Sequence, residues 1–392
     1  MKNLLIIKIL KFLIEPFFII FCHIISYIIP KNRNMWCFGA WFGNKYADNS
    51  KYLYEAMKED DEINCYWITN NKTLYNQLIK EDSNVLLSKS LQGILVQLRS
   101  YVFVATVNSK DFYFPLITRK NYFVQLWHGA PMKKIGFDVK HKSKIAYFIN
   151  IIRYFMIDNY NVIISPGKIF DEIFSSSMKI CKNNVVRSQL PRCDGLKLSN
   201  STRNSIRKKY GVRHNEIFIL YLPTHRNEGK DVKEIEKILS DFNNNFHIEN
   251  IKIIFSLHPY DKKFIKEIKN KYQKINIIDE NDDIDIYNLL GASDGLISDY
   301  SSVVFDYAVL NKPILLYMPD LKNYIKKERD FYFDLKELPF PIFYKYEKLE
   351  EKISEIDFSE KFIFPQNDFF TTNDNNISNS LAIALKNKIL KK

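Results

Sequence analysis

A histidine at the end of an apolar run is the residue of this chain best suited to chemistry. The run Tyr122–Trp127 stops at His128, and Gly129, a proline and two lysines follow within six residues. Histidine changes charge near neutral pH and therefore suits proton transfer, and the glycine lets a ligand approach the backbone closely. The lysines add the positive charge that an anionic substrate needs. The alternative is a hydrogen-bonded core histidine beside a turn, and the local pattern leaves both interpretations open.

Further polar candidates follow later apolar runs. They are Thr224, His225 and Arg226, then His258, and then Ser298, Asp299, Ser301 and Ser302. The two serines at a predicted helix start suit phosphate binding, because helix termini carry unpaired N–H groups; ordinary N-capping is the alternative. Asp299 fits beside a phosphate only if it bonds backbone or a ribose hydroxyl. His225 is the weaker of these candidates, and it is predicted, like His141, His214 and His247, to lie on the solvated surface.

Short apolar runs alternate with helical stretches after the first 33 residues, which is typical of parallel sheets covered by helices. In the first half the predicted strands are Met35–Phe38, Cys65–Thr69, Val85–Leu87, Tyr101–Val107, Tyr122–Trp127 and Val162–Ser165. In the second half they are Ile217–Tyr221, Ile251–Leu257, Ile275–Ile278, Gly295–Ile297 and Pro313–Tyr317. We predict an α/β fold with two Rossmann-like domains, 34–205 and 206–392, joined through a polar linker at 191–210. The candidate residues then face one cleft between the carboxyl ends of the strands.

Residues 1–33 are predicted to form a membrane-associating helix. The segment Leu4–Ile29 is strongly apolar, but Lys8, Lys11 and Glu15 interrupt it. The nearly charge-free part, Pro16–Ile29, is shorter than the roughly 20 apolar residues of a spanning helix. We therefore expect a peripheral helix in the cytoplasmic leaflet of the cell membrane, held by apolar burial and by anionic lipid. A single-pass anchor and a buried core helix are the alternatives.

Composition narrows the class of protein. The 392 residues are 46% apolar and carry a net charge of +12, which favours a phosphorylated metabolite or an anionic membrane surface as partner. Nucleic acid is not expected, because the lysines are interspersed with acidic residues and no nucleic-acid signature occurs. Five irregularly spaced cysteines without a CxxC pair indicate a reduced, cytoplasmic setting. No cofactor or metal is expected, since Asp283 and Asp285 stand at a predicted helix start and suit capping.

Taken in order, several motifs resemble those of the CDP-glycerol glycerophosphotransferases (TagB/TagF-like) of teichoic acid and capsule synthesis. The resemblance covers about Trp36–Asp334, and its motifs are Phe38–Gly43, Trp127–Pro131, Lys133–Gly136, Pro191–Asp194, Pro223–Arg226, His258–Pro259 and Ser298–Asp306. It implies a GT-B-like fold attached to the inner membrane face. It also implies transfer of a polyol phosphate from CDP-glycerol or CDP-ribitol to a hydroxyl of a polyprenyl-diphosphate-linked saccharide, with release of CMP.

The same resemblance implies roles for individual residues. His128 becomes the base that takes the acceptor hydroxyl proton, and His258 stabilises charge on the phosphoryl group or on the departing CMP. The implied donor-binding residues are Gly129, Arg192, Thr224, Arg226, Ser298, Asp299, Ser301 and Ser302. Phosphoryl transfer needs mainly positioning and charge neutralisation, which these residue types supply without a metal.

The chain also departs from the family pattern. Ala130 replaces a common threonine, Cys193 a common asparagine, and Asp330 a glycine after Arg329; no glycine follows Pro339. The last two departures put the identity of the donor in question. The length predicts a primase or compact capsule transferase rather than a long polymerase. Two other functions are considered: a nucleotide-sugar glycosyltransferase of the same fold, and a membrane-bound protein that binds lipid or nucleic acid without catalysis.

Overall fold

The computed structural model describes residues 17–139, 160–226, 233–258, 261, 264–279, 282, 284–327, 330–364, 368–371 and 376–390. Several residues considered above lie outside these ranges, among them Lys8, Lys11, His141, Pro259, Asp283 and Arg329. The described residues form two parallel sheets, each with helices packed against it.

The first sheet has seven parallel strands in the order β3-β2-β1-β4-β5-β6-β7. Its strands are β1 (Asn32–Gly39), β2 (Asn64–Thr69), β3 (Val85–Leu87), β4 (Ser100–Ala105), β5 (Tyr122–Gln125), β6 (Val162–Ser165) and β7 (Val185–Arg187). Its helices are α1 (17–28), α2 (Asp48–Met57), α3 (Lys72–Leu78), α4 (Leu91–Arg99) and α5 (Lys168–Ser177). Every residue of β6 is buried, as expected for a parallel strand covered on both faces.

The second sheet has six parallel strands in the order β10-β9-β8-β11-β12-β13. Its strands are β8 (Ile217–Leu222), β9 (Ile251–Phe255), β10 (Asn276–Ile277), β11 (Gly295–Ser298), β12 (Ile314–Tyr317) and β13 (Ile342–Phe343). The helices of this half are α6 (Asn200–Lys209), α7 (Lys233–Asn245), α8 (Ile265–Lys271), α9 (Ile286–Ala292), α10 (Val303–Tyr307), α11 (Leu321–Lys327), α12 (Tyr346–Glu355) and α13 (Ile377–Leu390). The predicted α/β fold with two parallel sheets is therefore confirmed.

Each sheet reverses its strand order at one place, which marks where open α/β sheets bind ligands. In the first sheet the reversal lies between β1 and β4, and in the second it lies between β8 and β11. The chain leaves these four strands at their carboxyl ends into the loops that begin at Ala40, Thr106, Pro223 and Asp299. The topology thus places the motifs Phe38–Gly43, Pro223–Arg226 and Ser298–Asp306 at the two reversal points.

The two halves contact each other through several polar links. Lys51 Nζ and Tyr52 Oη of α2 each lie 2.9 Å from Asp285 Oδ2, at the start of α9. Asp285 Oδ1 also accepts from Tyr287 N at 3.0 Å, which confirms the capping role predicted for this aspartate. Helix α13 returns to the first half and packs on α2, where Lys386 Nζ pairs with Asp60 Oδ2 at 2.7 Å. The domain boundaries at 33 and 205 stay predictions.

The structure differs from the sequence prediction in the linker and in two short strands. The predicted linker 191–210 contains a buried 3₁₀ turn, Pro191–Leu196, and helix α6, because Ser199 caps that helix and Ile206 packs inside. Strands β7 and β13 were missed, since runs of three and two residues give no periodicity. Helix α2 begins at Asp48, and the side chains of Asn49 and Ser50 bond loops of the first sheet.

Helix α1 docks on the first half through one face. Cys22 and Ile25 pack with Leu98 and Leu116, and His23 Nδ1 lies 2.9 Å from Pro115 O. The opposite face exposes large apolar side chains: Phe17, Ile20, Phe21, Ile24, Tyr27 and Ile28; Phe18 is also partly exposed. Within the described ranges, no helix has both the length and the apolar character required to cross a membrane.

Candidate active site

The loop after β5 presents His128 at the first reversal point. Trp127 adopts a left-handed backbone, with φ of +58°, and its carbonyl accepts a hydrogen bond from Asn49 Nδ2 at 2.8 Å. The half-buried His128 ring stacks on the Trp127 ring at 4.2 Å, and its Nδ1 lies 3.4 Å from Thr106 O. Because a carbonyl only accepts, this contact favours the tautomer with the proton on Nδ1. Nε2 is then the basic nitrogen.

A buried aspartate holds two loops around His128. Asp111 accepts from Phe42 N at 2.7 Å and from Thr106 N and Val107 N at 3.0 and 2.8 Å. The first of these bonds fixes the turn at residues 41–43, where Trp41 approaches the His128 ring at 6.1 Å. Burial raises the pKa of Asp111 to about 6, although backbone hydrogen bonds to its carboxylate oppose the shift. The sequence analysis missed Asp111 because no local pattern marks it.

The glycine beside the histidine is one of the points where the two halves approach each other. Gly129 has a φ of +139°, and a Cβ added there would collide with Ser302 Oγ and lie 3.1 Å from Arg192 Nη2. A side chain is therefore excluded by space as well as by backbone conformation. The loop carrying His128 thus meets the serines that precede α10, as the sequence predicted for two strand ends facing one site.

Those serines differ in their surroundings. Ser298 is fully buried and its Oγ donates to Leu222 O at 2.8 Å, so its hydroxyl joins β11 to β8. Ser301 and Ser302 are half-buried at the start of α10, and neither makes a strong cap: Val303 N lies 3.4 Å from Ser301 Oγ. Ordinary N-capping therefore does not explain the two serines well. Helix α10 itself is only five residues long.

Asp299 organises the second reversal point. Its Oδ1 accepts from Thr224 N at 2.9 Å and from Tyr300 N at 2.6 Å, and its Oδ2 lies 3.0 Å from Arg226 Nη2. The condition placed on Asp299 from sequence, that it bond backbone, is met. Its negative charge is compensated by the arginine, so that an anion nearby does not face an uncompensated carboxylate.

Arg226 is buried and forms ion pairs with two carboxylates. Besides Asp299, it pairs with Asp320, whose Oδ2 lies 2.7 Å from Nε. Its guanidinium carbon also lies 4.9 Å from the Tyr300 ring and 5.0 Å from the Tyr324 ring. Burial alone lowers the pKa of an arginine, but here the carboxylates outweigh it and the pKa of Arg226 rises. This guanidinium is positioned by the fold before any ligand binds.

His258 lies beside a second histidine. The His225 and His258 rings are 4.2 Å apart, so the prediction of a solvated surface His225 was wrong: the loop after β8 folds it onto the loop after β9. Burial, together with the nearby charges of His225, Lys133 and Lys45, lowers the pKa of His258 to about 3. The ring is therefore neutral at physiological pH and offers one N–H donor and one acceptor.

Arg192 links the two halves from inside. Its Nη1 pairs with Asp48 Oδ1 at 3.0 Å and its Nη2 with Asp306 Oδ2 at 2.6 Å, and all three side chains are buried. Tyr287 Oη also donates to Asp306 Oδ2 at 2.8 Å. Cys193 stands where an asparagine is common in the family, and its Sγ lies 3.8 Å from Asp306 Oδ1. Within the described residues, Arg192 Nε has no hydrogen-bond partner.

The two lysines after the histidine motif bring the second half onto the first. Lys133 Nζ lies 2.5 Å from Tyr324 Oη, and Met132 O accepts from Tyr332 N at 2.9 Å. Lys134 N donates to Asp330 O at 2.8 Å, and Lys134 Nζ lies 3.6 Å from Asp330 Oδ2. The departure from glycine at residue 330 thus supplies a carboxylate to a lysine of the other half.

The structure therefore gathers most of the candidate residues around the two reversal points. His128, Gly129, Ser302 and Arg192 lie in one chain of contacts, and Thr224, Arg226 and Asp299 lie in another. Lys45 Nζ lies 5.5 Å from the Trp41 ring, and its charge is among those that lower the pKa of His258. The substrate contacts assigned to these residues stay predictions.

Comparison with known proteins decides the family. A family model described as CDP-Glycerol:Poly(glycerophosphate) glycerophosphotransferase matches residues 21–384. The chain belongs to this family. The resemblance found in the motifs is thereby confirmed, and the chain is an enzyme of the glycerophosphotransferase type.

Relatives and solved structures agree with this assignment. The chain is 28% identical to a teichoic acid glycerol-phosphate transferase of Staphylococcus aureus over 83% of this chain and 85% of that one. It is 24% identical to a teichoic acid ribitol-phosphate primase of Bacillus spizizenii, covering 81% and 82% of the two chains. The structure of the wall teichoic acid polymerase TagF matches with a TM-score of 0.73 at 20% identity, over 92% and 90% of the chains. This last similarity supports the GT-B-like fold.

Proposed function

We propose that this enzyme transfers a polyol phosphate from a CDP-activated donor to a hydroxyl of a lipid-linked acceptor and releases CMP, in teichoic acid or capsule synthesis. The observation that carries the proposal is the contact of Gly129 with Ser302. It brings the loop that carries His128 close to Ser302 of the second half and to the buried Arg192. This proximity supports a site in which proton transfer and phosphate binding occur side by side.

The proposed reaction is an in-line displacement at phosphorus. The acceptor oxygen attacks the phosphorus that carries the polyol, and His128 Nε2 takes the hydroxyl proton. A new O–P bond forms while the bond from that phosphorus to the bridging oxygen breaks, and CMP leaves with the electron pair. Ser301, Ser302 and the cations of the second half would hold the phosphates, since such transfer depends on positioning and on charge neutralisation.

His258 has a different task in this scheme. Because its ring is neutral, it would donate one hydrogen bond to the phosphoryl group or to CMP instead of forming an ion pair. A bound diphosphate places negative charge nearby and would raise the pKa of His258. The ring would then gain positive charge only once the donor is bound.

Glycerol phosphate is the polyol phosphate that we propose first. A glycerol-phosphate transferase is among the relatives with the higher identity, at 28%, and a ribitol-phosphate primase follows at 24%. Attachment to the cytoplasmic face of the cell membrane is also proposed. The apolar side chains that α1 turns outward, away from its docked face, support it, since an interfacial helix buries one such face in lipid.

A donor screen tests the proposed function. Purified enzyme with a lipid-linked acceptor would receive CDP-glycerol, CDP-ribitol or UDP-sugars in separate reactions, and product mass would be measured. We expect acceptor-dependent CMP release from a CDP-polyol. Release of UDP with no CMP would establish the glycosyltransferase alternative. A variant His128→Ala that keeps full polymer synthesis in cells would instead favour a binding protein without catalysis.

A further inference from the structure

A cavity of about 970 Å³ lies on the first half, beside the docked helix α1. One part of its wall is apolar and includes Phe18 and Ile19 of α1 and Phe114. The other part comes from the carboxyl ends of β2 and β3 and from the loop that follows β4. The cavity therefore opens at the same edge of the sheet as His128.

The charge of this cavity is of one sign. Lys72, Lys89 and Lys110 line it, and none of the described residues that line it is acidic. Lys89 Nζ lies 5.5 Å from the Tyr113 ring, which is also part of the wall. Three lysines without a carboxylate match a ligand that carries two or three negative charges. A single phosphodiester carries one negative charge and therefore balances only one of the three lysines.

The apolar surface continues outside the cavity. Helix α1 leaves Phe21 and Ile28 59% and 72% exposed, and α4, which begins next to the cavity residue Ser90, leaves Leu91 76% exposed. Exposed apolar side chains from two neighbouring elements suit contact with hydrocarbon chains. The cavity thus combines a charged interior with an apolar border.

One short loop separates this cavity from the catalytic candidate. The cavity residue Asn70 donates from Nδ2 to Phe42 O at 2.8 Å and from its backbone to Gly43 O at 2.6 Å. The preceding residue of that loop, Trp41, has its ring 6.1 Å from the His128 ring. The 41–43 loop therefore contacts both the wall of the cavity and the surroundings of His128.

We propose that this cavity binds the diphosphate of the lipid-linked acceptor, with the hydrocarbon chain against the apolar border and the attached hydroxyl-bearing group directed to His128. The part of this inference that concerns the acceptor rests on the proposed function. The binding of a lipid diphosphate does not, because it follows from the charge, the apolar border and the position of the cavity.

Vesicle binding tests the site directly. The full chain and a triple variant, Lys72→Gln with Lys89→Gln and Lys110→Gln, are sedimented with phosphatidylcholine vesicles that contain either a polyprenyl diphosphate or phosphatidylglycerol at equal charge. A control variant makes the same charge change at exposed lysines of the second half: Lys274→Gln, Lys336→Gln and Lys361→Gln. All six side chains are exposed, so both variants should fold.

We expect the cavity variant to lose about fivefold in affinity per lysine on diphosphate vesicles, with a smaller loss on phosphatidylglycerol vesicles and none for the control. Inorganic pyrophosphate should compete only weakly, because it lacks the chain. Equal losses on both vesicle types would show a general anionic-membrane surface. Equal losses in both variants, or no loss, would also overturn the proposal.

Kinetics separate this inference from the proposed function. In the cavity variant the KM for the lipid-linked acceptor should rise while the KM for the CDP-polyol stays the same. A rise in both constants would contradict an acceptor site. If the unmodified enzyme transferred nothing from any CDP-polyol, the proposed function would fail, but the vesicle comparison would still decide whether a lipid diphosphate binds here.

Discussion

His128 acquires its proposed role from contacts that neighbouring residues do not share. The Thr106 carbonyl selects a tautomer, the Trp127 ring fixes the plane of the imidazole, and Asp111 holds the loops on either side. An oriented base is worth more than a mobile one, because proton transfer requires the acceptor hydroxyl within hydrogen-bond reach.

We therefore expect His128→Ala to lower kcat by roughly 10²–10⁴-fold, the range of a lost general base. His214→Ala is the matched control, since His214 is exposed, and it should retain full activity. Initial rates of CMP release and circular dichroism of both variants give the measurement. Comparable rates for the two variants would remove His128 from the mechanism.

The lowered pKa of His258 predicts how the stability of the folded protein depends on pH. Its pKa in the folded protein is about 3, lowered mainly by burial from an ordinary value of 6.5, so the unfolded chain binds a proton first on acidification. The contribution of the neutral His258 ring to the free energy of unfolding is fully present above pH 6.5. It is lost as the pH falls towards 3, by at most about 5 kcal/mol. Urea unfolding between pH 7 and 4 should show a shallower loss for His258→Gln than for His214→Gln. Parallel curves would contradict this expectation.

At the scale of elements, the 3₁₀ turn at residues 191–196 connects the two sheets through side-chain contacts. Its Arg192 joins Asp48 of α2 to Asp306 of α10, and α9 packs on the same turn. A buried ion pair gives little net stability when intact. Removal of one partner is costly, because the remaining charges stay buried.

Arg192→Leu should accordingly lower the free energy of unfolding by about 3–5 kcal/mol. Arg213→Leu removes an exposed arginine from its pair with Glu216 and serves as the control, with no measurable change expected. Guanidinium unfolding, followed by intrinsic fluorescence, compares the two. A variant of Arg192 with unchanged stability but a raised KM for the CDP-polyol would show that Arg192 contacts the donor instead.

Sequence reasoning succeeded where the signal was local. The strands Val85–Leu87 and Val162–Ser165 have the predicted bounds, since apolar runs between turn residues mark buried parallel strands. The residues that surround the candidate site could not be predicted from local sequence patterns. The contacts of Asp111 and the stacking of His225 on His258 depend on which loops the fold brings together. The order of residues along the chain does not give these distances.

At the scale of the whole molecule, three features lie on one path. The outward apolar face of α1 adjoins the lysine-lined cavity, the cavity adjoins the 41–43 loop, and that loop borders His128. The donor phosphates would be held on the other side, by the half that meets Gly129. A water-soluble nucleotide and a membrane-bound lipid can thus approach the same point from different directions.

Membrane attachment is the property of the whole chain that α1 predicts. Truncation is a poor test, because α1 also covers Leu98 and Leu116 and its loss exposes them. The triple variant Phe21→Glu, Ile24→Glu and Ile28→Glu changes only side chains that are 59%, 54% and 72% exposed. We expect it to move from the membrane to the soluble fraction on cell fractionation, since carboxylates cannot enter the lipid interface.

The control for that experiment carries the same three charges elsewhere. Ile325→Glu, Ile363→Glu and Ile383→Glu replace isoleucines that are 47%, 86% and 62% exposed and lie outside α1. This variant should stay with the membrane. Release of both variants would point to net charge as the cause, and retention of the α1 variant would show that its exposed apolar face does not hold the protein. Because α1 borders the acceptor cavity, the released variant should also use a lipid-linked acceptor poorly while binding the CDP-polyol normally.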